Sequence, residues 1–216
     1  MQYQNLLFDL DGTLTDPGLG ITNSVAYALG KFGITVADRS VLFPFIGPPL
    51  IESFMRFYSF SREDAERAVA YYREYFGVTG IFENTPFEGI HDTLARLRAN
   101  SKRLFVATSK PEVYARRITD HFALTQYFDY IAGASFDETR SEKWDVIGYA
   151  LDTCDIRDTS TTVMIGDRKH DVLGAKKMGL DSIGVLWGYG DREELSTAGA
   201  THIVETQEEL FDLLTK

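Results

Sequence analysis

Short apolar runs bounded by turn residues recur along this chain of 216 residues. The runs are Leu6–Leu10, Leu104–Ala107, Tyr130–Ala132, Val163–Ile165, Ile183–Leu186 and Ile203–Val204. Stretches with helical spacing lie between most of them, namely Ile90–Leu97, Tyr114–Phe122 and Asp145–Leu151. Strands that alternate with helices predict a parallel sheet covered on both faces, and strands this apolar are typical of burial on both sides. We therefore predict an α/β fold with a Rossmann-like parallel sheet, with a helix as the alternative for the short run Tyr130–Ala132.

The region 18–84 breaks this alternation, because it contains helical patterns only. The patterns are Ile21–Phe32, Leu50–Phe57 and Ser61–Phe76, and the last opens with the capping-box residues "SRED". Turn-forming residues, "DPG" at 16–18 and "NTP" at 84–86, stand at the two exits of the region. We predict a core domain made of residues 1–17 and 85–216, with an all-helical cap domain inserted at residues 18–84.

Composition narrows the class of function. The formal net charge is −10, the sequence pI is about 4.9, and no cluster of lysine and arginine resembles the basic face of a nucleic-acid binder. No stretch reaches the apolar length of a membrane span, and the first residues lack the form of a signal peptide. We expect a cytoplasmic protein, a monomer or a homodimer, with neither nucleic-acid nor membrane partners. The single cysteine, Cys154, excludes an internal disulfide and a thiolate metal site.

The first apolar run ends in "FDLDGT", which places two carboxylates and a glycine at the end of a buried strand. Asp9 and Asp11 are two residues apart and point to the same side of an extended chain, and Gly12 permits a sharp turn after them. Ligands of open α/β sheets bind at the carboxyl ends of the strands. Because an unpaired buried charge is costly, we expect positive charge to meet these two carboxylates.

The second run ends in "VATSKP", with two hydroxyls and a cation. The hydroxyls of Thr108 and Ser109, with the free N–H groups of a helix start, would favour a phosphate, although an ordinary helix start with Pro111 in its first turn explains this motif about as well. The segment "SEKW" places Lys143 at the beginning of a helix, where the helix dipole disfavours a cation. A solvated surface lysine is the alternative.

A later run ends in "GDRKHD", again with glycine and two carboxylates. Asp167 and Asp171 are four apart, which predicts that a helix beginning here stacks them on one face, although Asp171 alone also suits an ordinary first helical turn. Four carboxylates at the ends of two strands would repel one another if left bare. Oxygen ligands without His or Cys suit a hard cation, and Mg²⁺ is the usual one beside phosphate. We predict that Mg²⁺ and Lys143 neutralise the cluster.

Together these motifs resemble the four signature motifs of the haloacid dehalogenase-like hydrolase superfamily. The helical insert is similar to the subclass-I cap of that superfamily. The segments "FIGPPL" (45–50), "GVLWGYGDREEL" (184–195) and "ATHIVETQEEL" (200–210) are similar to its phosphoglycolate phosphatase and bacterial 5′-nucleotidase-like branch. The resemblance covers the whole chain and departs at Ser109, where many members have asparagine; a serine hydroxyl still donates a hydrogen bond.

The resemblance implies Mg²⁺-dependent hydrolysis of phosphomonoesters. Asp9 would attack phosphorus and become an aspartyl-phosphate, and Asp11 would act first as general acid and then as general base. Thr108, Ser109 and Lys143 would bind the phosphoryl group. The metal ligands would be Asp9, the backbone carbonyl of Asp11, and Asp167, with Asp171 acting through water or orienting Lys143.

The substrate is expected to be a small phosphorylated metabolite, either phosphoglycolate or a nucleoside 5′-monophosphate. Substrate choice is expected in the cap. Candidate contacts are Ile46, Gly47 and Pro48 of the loop 45–50, although a structural bend between two helices explains this loop equally well. Arg56 and Lys110 are candidate cations for a second anionic group of the substrate. A phosphomutase of the same superfamily is the alternative function, and an inactive binding protein is a third reading that the intact motifs disfavour.

Overall fold

The computed structural model describes residues 3–137 and 139–216, and the chain divides into two compact units. The first unit is Met1–Thr15 together with Pro86–Lys216, and the second is Asp16–Thr85. The second unit contains the predicted helical insert. Its assignment as a cap domain stays a prediction.

The described residues of the first unit contain a six-stranded parallel sheet. In chain order, the strands of the protein are β1 (Asn5–Phe8), β2 (Thr15–Asp16), β3 (Thr85–Pro86), β4 (Arg103–Pro111), β5 (Tyr130–Ala134), β6 (Thr162–Gly166), β7 (Asp181–Val185) and β8 (His202–Val204). The order in the sheet is β5-β4-β1-β6-β7-β8. Strands β2 and β3 form a separate two-stranded sheet where the chain passes from one unit to the other.

Helices follow most strands of the first unit and make up most of the second. The α-helices are α1 (Gly18–Lys31), α2 (Leu50–Tyr58), α3 (Arg62–Phe76), α4 (Ile90–Ala99), α5 (Glu112–His121), α6 (Lys143–Thr153), α7 (Lys169–Lys177), α8 (Arg192–Ala198) and α9 (Gln207–Thr215). Short 3-10 helices span Arg39–Phe45, Gly80–Phe82, Thr125–Tyr127 and Thr159–Thr161. Within the described ranges, no helix combines the length and the apolar character that crossing a membrane requires.

The predicted α/β class is confirmed, and every predicted apolar run lies in or overlaps a strand, including the short run that became β5. The end of β4 differs from the prediction. Pro111 was expected inside the first turn of a helix, but its backbone is extended (φ −50°, ψ 130°) and α5 begins one residue later, at Glu112. The polar motif at 108–110 therefore belongs to the strand itself.

The sheet holds the N-terminal strand at its centre. Leu7 lies opposite Phe105 of β4 and Met164 of β6, and all three side chains are fully buried. On that face they belong to one apolar cluster with Val146 and Ile147 of α6. Because β1, β4 and β6 run in parallel and in register, their carboxyl ends reach the same edge of the sheet.

The second unit is helical, as predicted. Ser61 caps α3, since its Oγ accepts a hydrogen bond from the N–H of Asp64 at 3.1 Å. Several aromatic side chains pack on one another within the unit: Phe54 lies edge-on to Phe45, with ring centroids 5.0 Å apart, and stacks on Phe60 at 5.9 Å. These rings are packing residues of the unit.

Candidate active site

The turn after β1 presents two carboxylates at the carboxyl edge of the sheet. Asp9 still belongs to the sheet pattern, because its N–H donates to the carbonyl of Ile165 at 2.9 Å, while its Oδ1 accepts from the N–H of Leu10 at 2.8 Å. Gly12 then adopts a left-handed conformation, with φ +81°. A Cβ at Gly12 would lie 2.2 Å from Oδ2 of Asp167, so only glycine fits here.

Lys143 joins the ends of three elements through one buried ammonium group. Its Nζ lies 2.8 Å from Oδ1 of Asp9 and 2.7 Å from Oδ1 of Asp171, and it donates to the carbonyl oxygen of Ala107 at 3.2 Å. The side chain is 5% exposed, which excludes a solvated surface lysine. Burial alone would lower the pKa of Lys143, but the carboxylates of Asp171 and Asp9 outweigh it and raise that pKa. The lysine is therefore held as a cation.

Three buried carboxylates form a cluster beside this lysine. Asp9, Asp167 and Asp171 each offer an oxygen, and these oxygens lie within 4.8 Å of one another. Burial, with the charges of Asp171 and Asp9 adding to it, raises the pKa of Asp167 to about 8. Burial likewise raises the pKa of Asp171 to about 7, although Lys143 opposes the shift. A single lysine does not neutralise three carboxylates, so the cluster calls for a proton or a further cation.

Asp11 has a cation of its own. Its Oδ2 lies 2.8 Å from Nζ of Lys110, and the two side chains are 14% and 5% exposed. Burial raises the pKa of Asp11, and the charge of Lys110 opposes that shift. The N–H of Lys110 also donates to Oγ1 of the buried Thr108, at 3.2 Å, whereas Ser109 is half-buried. Lys110, a candidate cation for a second anionic group of the substrate, pairs with Asp11 in the structure, and its part in substrate binding stays a prediction.

One step of the sequence argument is wrong: Asp167 and Asp171 do not stack on one helix face. Helix α7 begins at Lys169, and Arg168 is its extended N-cap residue (φ −122°, ψ 156°), so Asp167 lies in the loop before the helix. Asp171 stands in the first turn, where its Oδ2 accepts from the N–H of Arg168 at 3.1 Å. The two carboxylates nevertheless lie close together, with oxygens within 4.8 Å of each other, and Asp171 packs against Gly166, at which a Cβ would lie 2.1 Å from Cγ of Asp171.

The loop after β7 also shapes the site, and the motifs did not predict it. The N–H of Tyr189 donates to Oδ2 of Asp167 at 2.7 Å, and the indole of Trp187 donates to the carbonyl of Thr13 at 3.0 Å. A Cβ at Gly188 would lie 2.2 Å from the carbonyl oxygen of Gly12. The signal for this contact is the pair of glycines in "WGYG", because glycine marks close approach of two backbones.

The remaining predicted contacts lie in the second unit. Ile46 is buried, Gly47 has φ +103°, Pro48 is half-buried and Arg56 is exposed. Ile46, Gly47 and Pro48 lie in the loop between the 3-10 helix Arg39–Phe45 and α2, whereas Arg56 lies in α2 itself. Their part in substrate binding stays a prediction.

Comparison with known proteins gives consistent matches over nearly the whole chain. A family model described as haloacid dehalogenase-like hydrolase matches residues 6–185. A 5′-nucleotidase of Pseudomonas aeruginosa is 47% identical over 202 residues, which are 94% of this chain and 91% of that protein. A tyrosine-protein kinase, PtkA, of Mycobacterium tuberculosis is 42% identical over 209 residues, which are 95% of this chain and 70% of that protein. A solved structure of a predicted phosphatase from Clostridium acetobutylicum has a TM-score of 0.95 at 49% identity, with 99% of each chain covered.

Proposed function

This chain belongs to the haloacid dehalogenase-like hydrolase family and is a phosphatase. We propose that it works through an aspartyl-phosphate on Asp9, with Mg²⁺ as cofactor. The single observation that carries the proposal is the position of Lys143. Its ammonium lies between Asp9 and Asp171, at 2.8 and 2.7 Å, at the carboxyl edge of the sheet (the rim), where Asp167 also lies. Such a centre lets an anionic nucleophile approach an anionic phosphoryl group.

In the proposed first step, an oxygen of Asp9 attacks phosphorus and the bond from phosphorus to the leaving oxygen breaks. The electron pair of that bond goes to the leaving oxygen, which takes a proton from Asp11. In the second step, Asp11 accepts a proton from water as that water attacks the aspartyl-phosphate, which releases inorganic phosphate and restores Asp9. The raised pKa of buried Asp11 supports this alternation between acid and base.

The residues of the cluster fit a hard divalent cation. Three buried carboxylates with oxygens within 4.8 Å of one another, without a His or Cys among them, are a donor set that suits Mg²⁺. Asp9, Asp167 and the backbone carbonyl of Asp11 would hold the ion, with Asp171 remaining on Lys143. When bound, Mg²⁺ supplies positive charge that offsets the charge of the phosphoryl oxygens.

The other residues of the rim hold and orient the phosphoryl group. Thr108 is buried at the end of β4 and would donate its hydroxyl to a phosphoryl oxygen, with Ser109 beside it. Lys143 would balance charge on Asp9 and on the phosphoryl group together. The pair formed by Arg168 and Glu194, at 2.8 Å, fixes the loop that carries Asp167.

For the substrate, we propose a small phosphomonoester, with a nucleoside 5′-monophosphate ahead of phosphoglycolate. The 47% identity to a protein named 5′-nucleotidase supports this order. A cytoplasmic location, a monomeric or dimeric state, and the absence of nucleic-acid and membrane partners belong to the same proposal.

The test is phosphate release from nucleoside 5′-monophosphates and phosphoglycolate, measured with Mg²⁺ and with EDTA. We expect release with Mg²⁺ only, and mass spectrometry after rapid acid quench should find a phosphoryl group on Asp9. Asp9→Asn should abolish turnover, whereas Asp152→Asn, at an 82% exposed aspartate of α6, should leave it unchanged. Normal turnover by a clean Asp9→Asn preparation would refute the proposal, and sugar-phosphate interconversion without phosphate release would favour the phosphomutase.

A further inference from the structure

Lys110 is a buried lysine of the site that has no role in the mechanism proposed above. It is one of the last residues of β4, the strand beside β1, and its buried side chain runs to the acid–base residue of the neighbouring turn. The Nζ to Oδ2 distance of 2.8 Å joins two side chains that are both nearly enclosed. A long, flexible side chain that is held in this way has lost most of its rotamer freedom, so the contact fixes both partners.

The other buried lysine of this site, Lys143, forms its ion pairs with Asp9 and Asp171 and not with Asp11. An ammonium group has three N–H donors. Three acceptor atoms lie within 3.2 Å of Nζ of Lys143: Oδ1 of Asp9, Oδ1 of Asp171 and the carbonyl oxygen of Ala107. The site therefore divides its two lysines, one for the nucleophile and one for the acid–base carboxylate.

The two oxygens of Asp11 are in different situations. Oδ2 is held by Lys110, whereas Oδ1 is buried and accepts no hydrogen bond from the described residues. Because Lys110 engages Oδ2, Oδ1 is the oxygen of Asp11 that is left for contact with substrate and water. The contact between Lys110 and Oδ2 therefore fixes the direction in which Oδ1 of Asp11 points.

We propose that Lys110 is a positioning residue that holds Oδ2 of Asp11, so that Oδ1 faces the leaving oxygen and, later, the attacking water. This inference rests on the proposed function, because it assigns a partner to the acid–base residue of that mechanism. It differs from the prediction that Lys110 binds a second anionic group of the substrate. Lys110 touches no reacting atom in this assignment and acts through Asp11 alone.

The experiment measures how kcat/KM depends on the leaving group, with phenyl phosphate and 4-nitrophenyl phosphate as substrates of nearly equal size. Phenolate is a poor leaving group that needs a proton from Asp11, whereas the more acidic 4-nitrophenol needs it far less. General acid catalysis contributes about 10²–10⁴-fold. We expect Lys110→Met to lose about 10²-fold on phenyl phosphate and less than about tenfold on 4-nitrophenyl phosphate, with Asp11→Asn showing the same preference. Lys110→Arg, which keeps the charge, should recover part of the loss on phenyl phosphate.

The matched control is Lys102→Met. Lys102 is also a buried lysine next to β4, 3% exposed, but its Nζ donates to the carbonyl of Tyr3 at 2.6 Å. Its removal should leave the ratio of the two kcat/KM values unchanged. Thermal unfolding of each variant shows that the folded protein is being assayed.

Three results separate the possible failures. Equal losses of Lys110→Met on both aryl phosphates, with a steep leaving-group preference in Asp11→Asn, would overturn the positioning role alone. A loss that appears with phosphoglycolate but not with ethyl phosphate would assign Lys110 to a substrate carboxylate and likewise overturn it. Equal losses of kcat/KM for Asp11→Asn on the two aryl phosphates would overturn the acid–base role of Asp11, and the inference with it.

Discussion

Replacing Lys143 with methionine should damage stability and chemistry by different routes. The variant leaves Asp9 and Asp171 buried, at 8% and 1% exposure, without the ammonium that both contact. Removing one partner of a buried ion pair costs about 3–5 kcal/mol, because the other charge stays behind uncompensated. For a chain of this size each kcal/mol lowers the unfolding midpoint by about 2–4 °C, so we expect a fall of about 6–20 °C in EDTA. Turnover should fall by about 10²–10³-fold, the usual loss for one electrostatic donor.

A double variant separates the two effects. Lys143→Met with Asp171→Asn removes the orphaned charge as well, so most of the lost stability should return. Turnover should stay at the level of the single variant, because Asp9 and the phosphoryl group still lack their shared cation. Lys176→Met, at an exposed lysine of α7, is the control and should change the midpoint by no more than a surface substitution does, about 0.5 kcal/mol.

The assays are thermal unfolding followed by circular dichroism in EDTA, and kcat on 4-nitrophenyl phosphate with Mg²⁺. The reasoning fails if Lys143→Met melts at the wild-type midpoint in EDTA, since the lysine would then carry no buried charge pair. It fails equally if the double variant regains wild-type turnover.

Three further predictions concern metal, packing and capping. Asp167 and Asp171 have pKa values of about 8 and 7 in the folded protein against an ordinary 3.8, so the stability they contribute is present at low pH and is lost as pH rises to about 8. Melting curves should show the metal-free protein losing stability from pH 5 to 8 and Mg²⁺ raising the midpoint more at the higher pH; a larger Mg²⁺ effect at pH 5 would contradict this. Gly174→Ala should destabilise by about 1–3 kcal/mol and lower kcat, because its Cβ would lie 2.8 Å from Cγ of Lys143, whereas Gly30→Ala, with open space around it, should be neutral or stabilising. Denaturant unfolding checks both glycine variants, and wild-type kcat in Gly174→Ala would rule out the crowding. Ser61→Ala should cost about 1 kcal/mol by removing the cap of α3, and an unchanged denaturation midpoint would show that the cap contributes nothing.

The strands and the rim residues could be predicted because their signals are local. An apolar run followed by "DLDGT" or "GD" predicts both a buried strand and a polar end to that strand. In a parallel sheet these ends lie at one edge. The pairing of Lys110 with Asp11 carries no local signal, since a cation after a strand suits a substrate contact, a helix start or an ion pair alike. The geometry of the folded chain shows the ion pair.

The sequence patterns also did not predict where some helices begin. A spacing of four predicts one helix face, yet the backbone of Arg168 is extended, α7 begins at Lys169 and Asp167 lies in a loop. Helices α8 and α9 had no predicted counterpart. Their starts were nevertheless marked: Asp191 and Thr206 accept from the N–H groups of Glu194 and Glu209, at 2.8 and 3.2 Å.

The central place of β1 has a consequence for synthesis on the ribosome. Strand β1 is synthesised before both of its neighbours in the sheet, β4 and β6, so one of its edges stays open until Gly166 has been made. At about 5–20 residues per second, the ~150 residues in between take roughly 8–30 s. During that time the open edge of β1 can pair with strands of other chains. A chain that stalls or is truncated before Gly166 never brings Asp167 and Asp171 to Asp9.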